Sequence, residues 1–153
     1  MKACAFFGHR NAICNETTAK TIYAYLEELI CKENFSVFYF GGFGAFDTFC
    51  HSIITKLKNV YPYIQRVFCF TEQKYLRKTP KWINANDYEQ FICPEVDFSW
   101  WYQRIYYRNC SIIQKSDAVI FYVNEKENSG AFKAMLFAKK NKTPYKNFGT
   151  LLF

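Results

Sequence analysis

The spacing of apolar residues changes along this chain in a regular way, and each change marks an element. Ala3 to Phe7 is a short unbroken apolar run closed by Gly8-His9-Arg10-Asn11, the pattern of a buried strand entering a polar loop. After Asn15, a residue suited to capping, apolar side chains fall at Ile22, Tyr25, Leu26, Leu29 and Ile30, one face of a helix. Val37 to Phe40 reads as a second strand. Phe46, Phe49, Cys50, Ile53, Ile54 and Leu57 then repeat at helical spacing, the clearest helix in the sequence. Asn59 to Pro62 stops it, and Arg66 to Phe70 supplies a third strand.

Residues 71–97 hold no sustained period and carry Pro80, Asn84, Asn86 and Pro94. A stretch of that length is too long for an ordinary connection and reads as an insertion or lid, with a short strand near Phe91-Ile92-Cys93. Order resumes at Phe98 to Lys115, a helix expected to pack through Trp101, Tyr102, Ile105, Ile112 and Ile113, with Arg104, Arg108, Ser111 and Lys115 elsewhere. Asp117 to Val123 is the fourth strand, with Asp117 expected to turn the chain into it. Ser129-Gly130 opens a helix to Lys140 that would pack through Ala131, Ala134, Met135 and Ala138, and Tyr145 to Phe148 is a last short strand.

Strands alternating with helices call for a parallel sheet covered on both faces, because right-handed crossovers are the common way to join such strands. The expectation is an α/β fold: one domain over residues 1–153, a Rossmann-like three-layer sandwich with a mainly parallel five-stranded sheet in the order 3-2-1-4-5. Ligands of such sheets sit beyond the carboxyl ends of the strands, where the strand order reverses. Here that crevice falls between the first and fourth strands.

Three loops should converge on it: Gly8-His9-Arg10-Asn11, Gly41-Gly42-Phe43-Gly44 and the segment from Asn124 to Ser129-Gly130. Each suits an anion. Arg10 can fork onto a phosphate, closely spaced glycines can present backbone N–H groups, and Ser129-Gly130 stands at a helix N-terminus. The glycine turn lacks the spacing of a dinucleotide fingerprint and the Gly-Lys-Ser/Thr ending of a P-loop. Asp47 follows that turn as a weak catalytic candidate, otherwise a reader of ribose or base. His9 is a base, a ligand contact or a loop histidine. Arg104 and Arg108, four apart, either reach a phosphate across the crevice or bond surface carboxylates, and His51 is expected to pair with Asp47 at i, i+4.

Composition narrows the partners. The formal charge of +7 favours phosphate-bearing ligands, although Lys139, Lys140, Lys142 and Lys146 read more readily as a solvated face. Aromatics at 21% exceed what a core of this size needs and leave rings for a pocket or a homo-oligomeric interface. Seven cysteines, one per segment and without a C-x-x-C pair, suggest neither a disulfide framework nor a metal site, and fit a cytoplasmic protein. No signal peptide or membrane span is apparent, and no cofactor is implied.

The order of motifs is itself informative. Phe6-Phe7-Gly8-His9-Arg10, Phe40-Gly41-Gly42-Phe43-Gly44-Ala45-Phe46-Asp47, Tyr107-Arg108-Asn109 with Ser116-Asp117, and Ser129-Gly130-Ala131 together resemble the SLOG superfamily, closest to its small YpsA-like bacterial and phage proteins. That resemblance implies a Rossmann-like fold and a pocket for nucleotides or nucleotide-derived molecules. Its members include phosphoribohydrolases, DNA-processing DprA proteins and sensors of ADP-ribose-like signals. In the phosphoribohydrolase motif Gly-Gly-x-Gly-Thr-x-x-Glu, this chain has Ala45 for Thr and Thr48 for Glu. The leading expectation is therefore a protein that senses or sequesters a nucleotide-derived ligand. An N-glycosidase using Asp47 is the alternative, and single-stranded nucleic-acid binding is a second one.

Overall fold

The computed structural model describes residues 1–41, 44–95, 103–125 and 128–150. Short runs of aromatic and β-branched residues become β1 (Lys2–Gly8), β2 (Phe35–Phe40), β3 (Gln65–Cys69), β4 (Gln90–Ile92), β5 (Ala118–Tyr122) and β6 (Tyr145–Asn147). They form one sheet in the order β4-β3-β2-β1-β5-β6, every pair parallel. Without β4 this is the expected 3-2-1-4-5 arrangement. The sheet has a sixth strand at its edge because residues 90–92 pair with β3, where Phe70 N–H donates to Ile92 C=O at 2.8 Å and Glu89 N–H to Arg66 C=O at 2.9 Å. Three residues are too few to show a period in the sequence, yet enough to extend a parallel ladder.

Strand alternation sorts the core into two layers. Cys4, Phe6, Phe38, Phe40 and Ile120 face α1 (Glu16–Glu33) and α2 (Ala45–Val60). Ala5, Val67, Cys69, Val119 and Phe121 face α4 (Arg104–Lys115) and α5 (Gly130–Lys140). Of the predicted apolar stripes, Ile22, Leu26, Leu29 and Ile30 on α1, Phe46, Cys50, Ile53, Ile54 and Leu57 on α2, and Ala131, Ala134, Met135 and Ala138 on α5 are buried, while Tyr25 and Phe49 are half-buried against the core. Truncating a fully buried member such as Leu57 to alanine costs about 2–5 kcal/mol.

Local chemistry sets the boundaries. Asn15 caps α1, its Oδ1 accepting from Thr18 N–H at 2.9 Å, and Asn34 ends the helix in the left-handed region at φ 65. Gly44 opens α2 at φ 91, a conformation that side chains with a Cβ rarely adopt. Asp117 links strand starts: its N–H donates to Ala3 C=O and its Oδ2 accepts from Ala3 N–H.

Two expectations need correction. On α4 the inward residues are Arg108, Asn109, Ile112 and Ile113, whereas Ile105 is 45% exposed; residues 98–102, including Trp101 and Tyr102, lie outside those described. His51 does not turn to Asp47: its Nε2 is 2.9 Å from Asp87 C=O, and its ring packs on Phe40 and Tyr88. The segment after β3 holds α3 (Lys74–Arg77), a 3-10 turn (Ala85–Asp87) and β4, so through Ile92 it is built onto the sheet edge.

Candidate functional site at the strand switch point

From β1 the chain moves outward to β2, β3 and β4, then returns to place β5 on the other side of β1. Loops leaving β1 and β5 therefore diverge and leave a crevice above the carboxyl ends of the strands. A cleft of about 580 Å³ opens there. The expected loop residues Gly8, His9, Arg10, Asn11, Gly41, Asp47, Arg108, Ser129 and Gly130 all line it. Gly42 and Phe43 lie outside the described residues. Gly44 is the exposed start of α2, Asn124 stands apart from the lining, and Arg104 bonds Glu72 across a 2.6 Å ion pair.

At the floor is Arg108, 4% exposed, reaching from α4 beneath the ends of two strands. Its Nη1 donates to Gly41 C=O at 3.2 Å and Cys69 C=O at 3.0 Å, while Nε and Nη2 donate to Asn109 Oδ1. Burial lowers the guanidinium pKa below its ordinary value, opposed by the nearby Cys69 thiol and Asp47 carboxylate. A cation is thus held where β2 and β3 end. Gly41 must be glycine for this packing, because a Cβ there would stand 2.7 Å from the guanidinium. Asp47, buried on the first turn of α2, accepts from Gly41 N–H at 3.1 Å through Oδ1.

The opposite wall is the N-terminus of α5. Ser129 Oγ accepts from Phe132 N–H at 3.1 Å, capping the helix, and lies 3.3 Å from His9 Nδ1. His9 is 4% exposed, and its Nε2 has no hydrogen-bond partner among the described residues. When the Ser129 hydroxyl donates to Nδ1, the ring proton sits on Nε2. The first N–H groups of α5 and the positive end of its dipole adjoin this ring.

Apolar walls come from Phe6, Phe7, Tyr39, Ile105, Ile112 and Ala131, of which Tyr39, Ile105 and Ile112 stand in none of the motifs. Burial raises the Tyr39 phenol above its ordinary value. Tyr39 was recoverable from alternation, since it shares a strand face with the residue two further on, Gly41. Asn109 stands in the Tyr107-Arg108-Asn109 motif and lies beside Arg108 on the helix face that turns inward.

A parallel sheet, helices on both faces and a cleft at the switch point define a Rossmann-like α/β protein. Solved structures agree on the fold. The structural-genomics target TM1055 superposes with a TM-score of 0.58 at 12% identity, over 95% of this chain and 72% of that one. DNA processing protein A from Helicobacter pylori, described for its single-stranded DNA binding mode, gives 0.60 at 19% identity over 95% of this chain. DprA from Streptococcus pneumoniae gives 0.65 at 15% over 99%. The chain spans 64% and 58% of those two DprA chains. The sequence matches no protein-family model and no curated protein.

Proposed function

We propose that this protein binds a nucleotide or nucleotide-derived molecule, such as an ADP-ribose-like signal, in the switch-point cleft, as a sensor or sequestering protein of the SLOG type. The observation that carries the reading is the meeting of two anion-suited features in one cavity: the N-terminus of α5 beside His9, and the β1 loop with Arg10. Phosphate takes the α5 end, with His9 Nε2–H and Arg10 as further donors. Asp47 accepts from a ribose hydroxyl or a base N–H. Tyr39 and Ile105 offer apolar surface to the base. The size of the cleft is in the range of small-molecule sites.

Isothermal titration with ADP-ribose, NAD and mononucleotides tests it. Micromolar or tighter binding by at least one is expected, weakened at least tenfold by Arg10→Ala, whose side chain is exposed and makes no demand on the core. An intact fold that binds none of them would falsify the reading.

A second reading, single-stranded nucleic-acid binding, draws support from the likeness to a DprA whose single-stranded DNA binding mode has been described, and from the charge of +7. A gel shift with an oligonucleotide at low salt separates the two.

A further inference from the structure

Beyond the carboxyl ends of β2 and β3 lies a second cavity of about 150 Å³, room for a planar ring. Gly41 and Arg108 line both this cavity and the large cleft, so the two adjoin across one guanidinium. Its other walls are the rings of Phe68, Phe70, Tyr75 and Trp82, with Cys69, Thr71 and Glu72, whose carboxylate is paired with Arg104 and Lys74. Trp82 stands nearly perpendicular to Phe70 and Tyr75, at 80° and 79°, with ring centres 6.3 and 6.1 Å away. Those contacts fix the indole, and yet 59% of Trp82 is exposed. A pinned, exposed indole beside a ring-sized cavity is a stacking platform, since the core gains little from apolar area that stays in water.

The rim adds charge. Lys74, Arg77, Lys78 and Lys81 are exposed and interleave with Tyr75 and Trp82 in nine consecutive residues, and Lys74 Nζ lies 5.2 Å from the Tyr75 ring centre. Cations alternating with aromatic faces suit a base attached to a phosphate.

We propose that this cavity is a second base subsite, so that the ligand has two units: the first in the switch-point cleft, a phosphate linkage passing Arg108, and a second base stacked on Trp82. The inference rests on the nucleotide reading of the cleft and extends it to ligand size. Two sources share the chemistry, a dinucleoside pyrophosphate and the end of a single strand.

Titration of the full chain with AMP, NAD, dTMP and the dinucleotide d(pTpT) decides. One two-unit probe should bind at least tenfold tighter than its mononucleotide, and which one gains identifies the source. Trp82→Ala should reduce that probe's affinity about 5- to 150-fold, the range of base–aromatic stacking, and leave the mononucleotide unchanged. Trp82→Phe keeps a ring for the neighbouring aromatics and should retain most of the affinity, while abolishing the part of the tryptophan quenching that only the two-unit probe causes. Equal affinity for one- and two-unit probes, or loss of both alike in Trp82→Ala, overturns the second subsite and leaves the cleft reading standing. Failure of every probe to bind overturns the cleft reading and the subsite with it.

Discussion

Two arginines lie inside this protein, and they are used differently. Arg66, 8% exposed, stands at the start of β3 and bonds both carboxylate oxygens of Glu89 through Nε, at 3.2 and 3.0 Å, and Thr55 Oγ1 through Nη1. Lys58 meets the same carboxylate at 2.8 Å. This network fastens the chain entering β4 to β3 and α2. Arg108, 4% exposed, bonds the backbone carbonyls that end β2 and β3, and it faces two cavities. One guanidinium staples the amino ends of the strands, and the other presents charge at their carboxyl ends. Burial alone does not distinguish the two arginines; the edge of the sheet each serves does.

Replacing each with methionine breaks the comparison if it is wrong. Arg108→Met should have the largest effect: ligand affinity falls by about 100-fold or more, as for other desolvated charge contacts. Its stability falls too, because the Gly41 and Cys69 carbonyls lose their donor at about 1–3 kcal/mol each. Arg66→Met should leave affinity unchanged while costing about 3 kcal/mol, a fall of roughly 6–12 °C in Tm for a chain of this length. Titration and thermal melts of both variants measure the two axes separately. Loss of affinity in Arg66→Met equal to that in Arg108→Met would show that the difference between edges is not functional.

Most of the sheet was legible in the sequence because its strands are apolar runs and its helices repeat at 3.6. Gly44 at the start of α2 and Ser129 at the start of α5 were legible because backbone geometry restricts which residues can stand there. What escaped has a common cause. For Arg108 the sequence leaves open a reach across the crevice or a surface ion pair, and only tertiary structure supplies the strand-end carbonyls that bury it. His51 was paired with Asp47 by helical spacing, yet its partner is the carbonyl of Asp87, thirty-six residues away. β4 escaped as a definite strand because its ladder to β3 is written in pairing rather than in period.

The staple should also respond to acid. Burial acts to raise the Glu89 carboxyl, but the bonds from Arg66 and Lys58 outweigh it and hold the pKa below its usual value of 4.5. A carboxyl whose folded pKa lies below its unfolded one contributes stability above the unfolded value and loses it as pH falls through the folded value. Tm should therefore decline as pH drops below about 4.5. In Glu89→Gln the acid limb should flatten, at a cost of about 1–2 kcal/mol near neutrality. Melts followed by circular dichroism from about pH 3 to 7 give both numbers, and parallel acid limbs would locate the acid sensitivity elsewhere.

The smallest expected effect sharpens the cleft itself. Ser129→Ala removes the cap that accepts from Phe132 N–H and should cost about 1 kcal/mol, so weaker binding in that variant could follow from a frayed α5 alone. Ser129→Asp separates the two causes. Aspartate caps as well as serine and favours the positive end of the helix dipole, so Tm should stay within about 2 °C of wild type. Its carboxylate, however, occupies the α5 end of the cleft beside His9, where it repels a phosphate and attracts the donors meant for one. Affinity for a phosphate-bearing ligand should fall about tenfold, within the range of a rejected like charge at close quarters. A stable Ser129→Asp variant that binds such a ligand as wild type does would move the anion seat away from α5 and toward Arg10.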